Sequence, residues 1–175
     1  MRAVLARLPA LLSPLLSPLL SALLPALLLA LLAGCSLFGG PKPVKPGWDS
    51  VAFAAASDAN ANSALAVDVV LVKDKALLDT LAAMPAARYF ASRADLLRTY
   101  PDGLLAFGVE ITPGQVLSVE GKRFKGERAW AAFAFANYGV PGEHRVRVPL
   151  DGDACLVQLN AHEFVVLDAQ TGDAR

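Results

Sequence analysis

The residues able to do chemistry in this 175-residue chain are few and scattered. His144 and His162 stand apart, with no Cys-x-x-Cys or His-Glu-x-x-His pattern near either, so neither marks a zinc site. Asp151-Gly-Asp153 supplies too few oxygens for calcium, which takes six or more, and it reads as a turn. No serine sits in a Gly-x-Ser-x-Gly elbow. Gly121-Lys-Arg-Phe-Lys-Gly126 lacks the Gly-Lys-Ser/Thr ending of a phosphate loop and reads as a solvated basic connection. Of the two cysteines, Cys155 lies in an apolar strand pattern and reads as a small buried hydrophobe. No nucleophile, base, metal set or cofactor motif assembles from these residues. The chain reads as a non-enzyme with no cofactor and no small-molecule substrate.

Cys35 is different because of where it stands. It ends the run Leu32-Ala33-Gly34-Cys35, after a leucine-rich stretch that opens with Arg2 and Arg7 and holds no acidic residue. A charged start, an apolar middle and a small-residue end make a secretory signal. The stretch is long enough to suggest a membrane anchor, but Pro9, Pro14, Pro18 and Pro25 each remove a helix hydrogen bond. Leu-Ala-Gly-Cys resembles the lipobox of bacterial lipoproteins. The resemblance implies cleavage before Cys35, lipidation of Cys35, and a leader over residues 1–34. Three acyl chains, as the lipoprotein resemblance implies, would anchor the mature chain stably, since one chain alone binds a bilayer only marginally. Ser36, in the place where enteric bacteria read a sorting signal, implies the outer membrane.

Hydrophobic residues make up 55% of the chain, a figure the leader inflates. From Cys35 onward 14 Lys and Arg face 16 Asp and Glu, a net charge of −2 that gives no reason to expect nucleic acid. That length suits one domain. With Cys35 lipidated no internal disulfide can form, so the fold must rest on its core.

The elements follow from the apolar periods. Residues 35–48 form the lipidated cysteine and a Pro/Gly-rich, extended spacer. Strands are expected at 50–57, 64–73, 104–111, 116–120, 129–138, 144–149, 154–159 and 163–168. The second is apolar on both faces, as a central strand is. Between the second and third the period turns helical. One helix is expected over 75–84, ended by Pro85, and another from an N-cap at Ser92 to the turn at Tyr100-Pro101. Asp58, Ala59, Asn60, Ala61, Asn62 and Ser63 form a turn-rich loop, whose Asp and Asn meet backbone needs locally. About eight short strands at near-regular spacing indicate a mainly β sandwich or barrel over 49–170, with a helical insertion after the second strand and a tail at 171–175.

Three segments in order behind the lipobox resemble the outer-membrane lipoprotein of the type VI secretion membrane complex. They are Ala56-Ser-Asp-Ala-Asn60 followed by Ala66-Val-Asp-Val-Val-Leu-Val-Lys73, then Tyr89-Phe90-Ala-Ser-Arg-Ala-Asp95, then Ile111-Thr-Pro-Gly-Gln115. The resemblance implies a two-layer, transthyretin-like β-sandwich with a helical side element. It implies a lipid-anchored protein on the periplasmic face of the outer membrane. Its partner would be the IcmF-like, periplasm-spanning inner-membrane protein of that complex. The loop after the first strand would make the contact, through Asp58, Ala59, Asn60, Ala61, Asn62 and Ser63. The alternative is a periplasmic lipoprotein that binds a ligand or peptidoglycan and has no part in secretion.

Overall fold

The computed structural model describes residues 41–168; the expected leader, Cys35, Ser36 and the tail at 171–175 lie outside them. Eight strands form two four-stranded sheets. One holds β1 (Ser50–Ala55), β4 (Val116–Glu120), β7 (Ala154–Leu159) and β8 (Phe164–Asp168), in the order β4-β1-β7-β8. The other holds β2 (Leu65–Val72), β3 (Leu104–Ile111), β5 (Ala131–Ala136) and β6 (Arg145–Val148), in the order β3-β2-β5-β6. Neighbours are antiparallel except β1 and β7. The result is the transthyretin-like sandwich that the family resemblance implied, with helices α1 (Leu78–Ala82) and α2 (Ala86–Thr99) inserted between β2 and β3.

β2 is central, between β3 and β5, and its two apolar faces serve two cores. Leu65, Val67, Val69 and Leu71 face the other sheet. Val70 and Val72 face the helices, beside Leu77, Leu81 and Met84. All six β2 residues are fully buried, each stabilising the fold by about 1.5–3 kcal/mol relative to exposure. β5 divides in the same way. Ala132, Ala134 and Ala136 lie in the inter-sheet core, where Phe53, Phe124 and Trp48 supply much of the bulk. Phe133 and Phe135 take the helix side. Among the described residues no helix is long and apolar enough to cross a membrane.

Two local expectations are corrected. α2 begins at Ala86, six residues before the expected N-cap at Ser92. Its opening N–H is satisfied from outside the helix, by the Glu143 carbonyl at 2.8 Å. Ser92 lies inside the helix, its hydroxyl donating to the Arg88 carbonyl one turn back at 2.8 Å. The end of the expected spacer also lies against the sandwich. Val44 pairs with Ala129 through two backbone hydrogen bonds of 2.9 Å, and the Gly47 N–H donates to the Leu150 carbonyl. Trp48 is buried, set edge-on to Phe124 at 5.2 Å, and donates its indole N–H to the Pro149 carbonyl at 2.8 Å. Gly121 is required beside it, because a Cβ there would collide with the Trp48 carbonyl.

Candidate functional site

The loop from β1 to β2 closes one end of the sandwich. Asp58 precedes a turn in which Asn60 (φ 48°), Ala61 (φ 52°) and Asn62 (φ 64°) are all left-handed. Three successive L-residues in this region are unusual, since each non-glycine residue there costs about 1–2 kcal/mol. Asparagine tolerates it best, through local hydrogen bonds. The turn persists because its surroundings over-determine it. Ala59 is buried beneath it. Asn60 accepts from the Gly139 N–H through Oδ1 at 2.8 Å and donates through Nδ2 to the Ala64 carbonyl at 3.1 Å. The Ser63 N–H donates to the Asn60 carbonyl at 3.1 Å, and the Asn60 N–H reaches the Asn160 carbonyl at 3.4 Å.

Asn60 thereby ties its loop to two others, the 137–144 loop and the turn between β7 and β8. Tyr138 fastens those two together. Its hydroxyl lies 2.7 Å from the Glu163 carbonyl and 3.0 Å from that of Asn160. Burial pushes the Tyr138 hydroxyl up to about 12, with the nearby Glu163 charge adding to the rise. His144, also at positive φ (42°), sets its ring 4.7 Å from Tyr138 and hydrogen-bonds the Val140 carbonyl through Nε2. All four non-glycine residues with positive φ among the described residues thus sit in two hydrogen-bonded loops at one end. Such backbone strain concentrates where a structure holds a surface ready for use.

Of the six residues expected to contact a partner, Asp58, Ala61, Asn62 and Ser63 are exposed there. Ala59 is buried, and Asn60 is half-buried and engaged within the fold. The last two position the loop, and the other four present a small polar face with one carboxylate.

A second polar cluster escaped the sequence reading. Asp68, on the helix side of β2, is buried and accepts from the Tyr89 hydroxyl at 2.7 Å and from Arg93 Nε at 2.5 Å. Tyr89 and Arg93 are one turn apart on α2, and Tyr89 stacks on Phe135 at 4.2 Å. Burial and the Asp68 carboxylate hold the Tyr89 hydroxyl well above its usual range. The hydrogen bond to Asp68 raises Arg93 further. Gly108, paired with Asp68 across β3, leaves the carboxylate its room, since a Cβ would collide with Oδ1. The cluster fixes the helical element to the sheet.

No protein-family model matches this sequence, and no curated protein sequence matches it significantly. Solved structures do resemble it. Lip of Serratia marcescens, a membrane-bound component of the type VI secretion system, matches at TM-score 0.50 and 16% identity, over 69% of this chain and 96% of its own. The type VI lipoprotein TssJ1 of Pseudomonas aeruginosa matches at 0.52 and 18%, over 77% and 98%. A chain of a type VI membrane complex matches at 0.53 and 16%, over 71% and 98%. The fold is that of the type VI secretion lipoproteins.

These structures are spanned almost whole. Asp68 carried a signal that the valine periodicity hid. It is a charged residue on one face of a strand otherwise apolar on both, with a glycine in the strand that pairs with it and a tyrosine and an arginine at helical spacing beyond.

Proposed function

We propose that this protein is an outer-membrane lipoprotein of a type VI secretion membrane complex, held by acyl chains on Cys35. Its loop end binds the periplasm-spanning inner-membrane component and so fixes the machine to the outer membrane. The observation that carries this reading is the likeness of the fold to lipoproteins of that system, which are spanned almost whole. The lipobox and the constrained loop of residues 58–63 support it. The chain enters the sandwich at the Trp48 end of β1, and the loop follows the other end of the same strand. Tethering confines both partners to the periplasm, so a modest affinity suffices at high effective concentration.

Binding of the mature chain to the periplasmic C-terminal domain of the candidate partner tests this reading. A companion variant carries Gly-Ser in place of residues 58–63. Binding that the variant loses, with its unfolding midpoint kept, supports both role and site. Binding that survives leaves the role and moves the site. No binding by the native chain overturns the secretion role and favours a ligand- or peptidoglycan-binding lipoprotein. Palmitate labelling of the native chain, absent in Cys35→Ser, tests the anchor separately.

A further inference from the structure

The sandwich has two open sides, and they are finished differently. At the β3 and β4 edges the turn Gly121–Phe124 crosses between the layers, with Phe124 buried and Arg123 over the Phe107 ring at 4.9 Å. At the β6 and β8 edges a trough of about 620 Å³ stays open. Val146, Val148, Leu150 and Val166 give it apolar walls with Trp130 beside them, and Arg147 and Asp151 add one charge of each sign. Val44, 48% exposed, stands at one end.

We propose that this trough takes an extended segment of a protein partner as an added strand on β6, with an acidic residue beside Arg147 and an apolar residue on either side of it. β6 hydrogen-bonds with β5 alone, and β8 of the other sheet runs close beside its outer edge without pairing with it. Adding a strand to a free edge is a recurring mode of peptide recognition. The side chains of β6 set which strand fits. Val146 and Val148 pair with Ala134 and Ala132 and face the inter-sheet core. Arg147 pairs with Phe133 and lies on the opposite face. A residue paired with Arg147 shares its face, and the residues before and after it share the face of the valines. Arg147 is exposed and makes no ion pair among the described residues. Arg145 is already engaged, donating to the Met84 carbonyl at 2.9 Å and to Glu143 at 3.1 Å. The free cation in the middle of an apolar edge selects apolar-acidic-apolar.

A charge on an edge strand can also serve only to repel stray pairing, and the experiment separates the two roles. The probe is a blocked, fluorescein-labelled pentapeptide, Thr-Val-Glu-Val-Thr, titrated against the full chain in detergent micelles. Saturable binding is expected, with slower amide exchange in β6 and unchanged exchange in β4. Arg147→Glu should weaken it by about tenfold or more, and a peptide with Lys in place of Glu should bind that variant better than the native chain. The proposal is overturned if the native chain shows no saturable binding, if it takes the Glu and Lys peptides equally, or if β6 exchange is unaltered. The trough runs along the side of the sandwich, so none of these results depends on the loop face.

Discussion

Among the described residues Asp68 is the one charged side chain that the fold buries, and its neighbours settle what replacing them does. Arg93→Met leaves a buried carboxylate with only the Tyr89 hydroxyl. Breaking a buried pair from one side costs about 3–5 kcal/mol. Arg93 keeps 39% of its side chain exposed, so the low end applies and about 3 kcal/mol is expected from urea midpoints. Tyr89→Phe keeps the stack on Phe135 and loses one hydrogen bond to a charged group, about 2 kcal/mol. The order Arg93→Met worse than Tyr89→Phe is the checkable part. The tyrosines also fix how stability responds to alkali. Both Tyr89 and Tyr138 are raised in the folded state, so folding favours their protonated forms. Above the unfolded tyrosine value near 10 the unfolded chain has lost those protons while the folded chain keeps them. Stability should therefore hold up to about pH 9.5 and fall as pH rises from about 10 toward 12, and Tyr138→Phe should make that fall shallower. A urea series between pH 8 and 11 reads it; an unchanged slope in Tyr138→Phe would remove the tyrosine from the account. Asp68 is visible in the sequence as an odd letter in a valine run. Its partners are not, because they lie 21 and 25 residues on, in an element whose start was misplaced.

At the scale of elements, local pattern settled the strands well and the helices poorly. The strands alternate or run apolar, and each expected strand overlaps an observed one. α2 departs from its expected start because the group that satisfies its first N–H, the Glu143 carbonyl, belongs to a loop far along the chain. Ser92 and Asp95 match a capping pattern that the helix simply runs through. The loop of residues 58–63 shows the same limit. Asp and Asn mark it as a turn, but nothing local announces three left-handed residues, since the bond that holds Asn60 comes from Gly139. Ala61 is the residue least suited to this backbone. Ala61→Gly should raise stability by up to about 1 kcal/mol, because glycine adopts positive φ without a Cβ penalty. A drop in stability on that change would mean that the left-handed turn is not held in solution.

For the molecule as a whole, the two ends of β1 are separable. At one end Trp48 locks the incoming chain onto the sandwich. At the other, roughly 17 Å away at about 3.3 Å per residue, Asn60 holds the loop face together. The tryptophan was read as the last residue of a spacer, because Pro and Gly surround it and its cover comes from Phe124 and Pro149, both distant in sequence. The separation predicts a double dissociation. Trp48→Ala opens a cavity and should cost about 3–5 kcal/mol in stability. Under conditions where it stays folded, its affinity for the candidate partner should match the native chain's. Asn60→Ala gives up two partly exposed hydrogen bonds and the side chain better suited to positive φ, and should cost about 2 kcal/mol. It frees a loop that must be re-ordered on binding, so affinity should drop by about tenfold or more. The two sites share no contact, so the double variant should show the sum of both effects within about 0.5 kcal/mol. Calorimetric binding and urea midpoints on the four proteins decide it. An affinity loss in Trp48→Ala as large as in Asn60→Ala would place the partner over the whole sandwich rather than on its loop end.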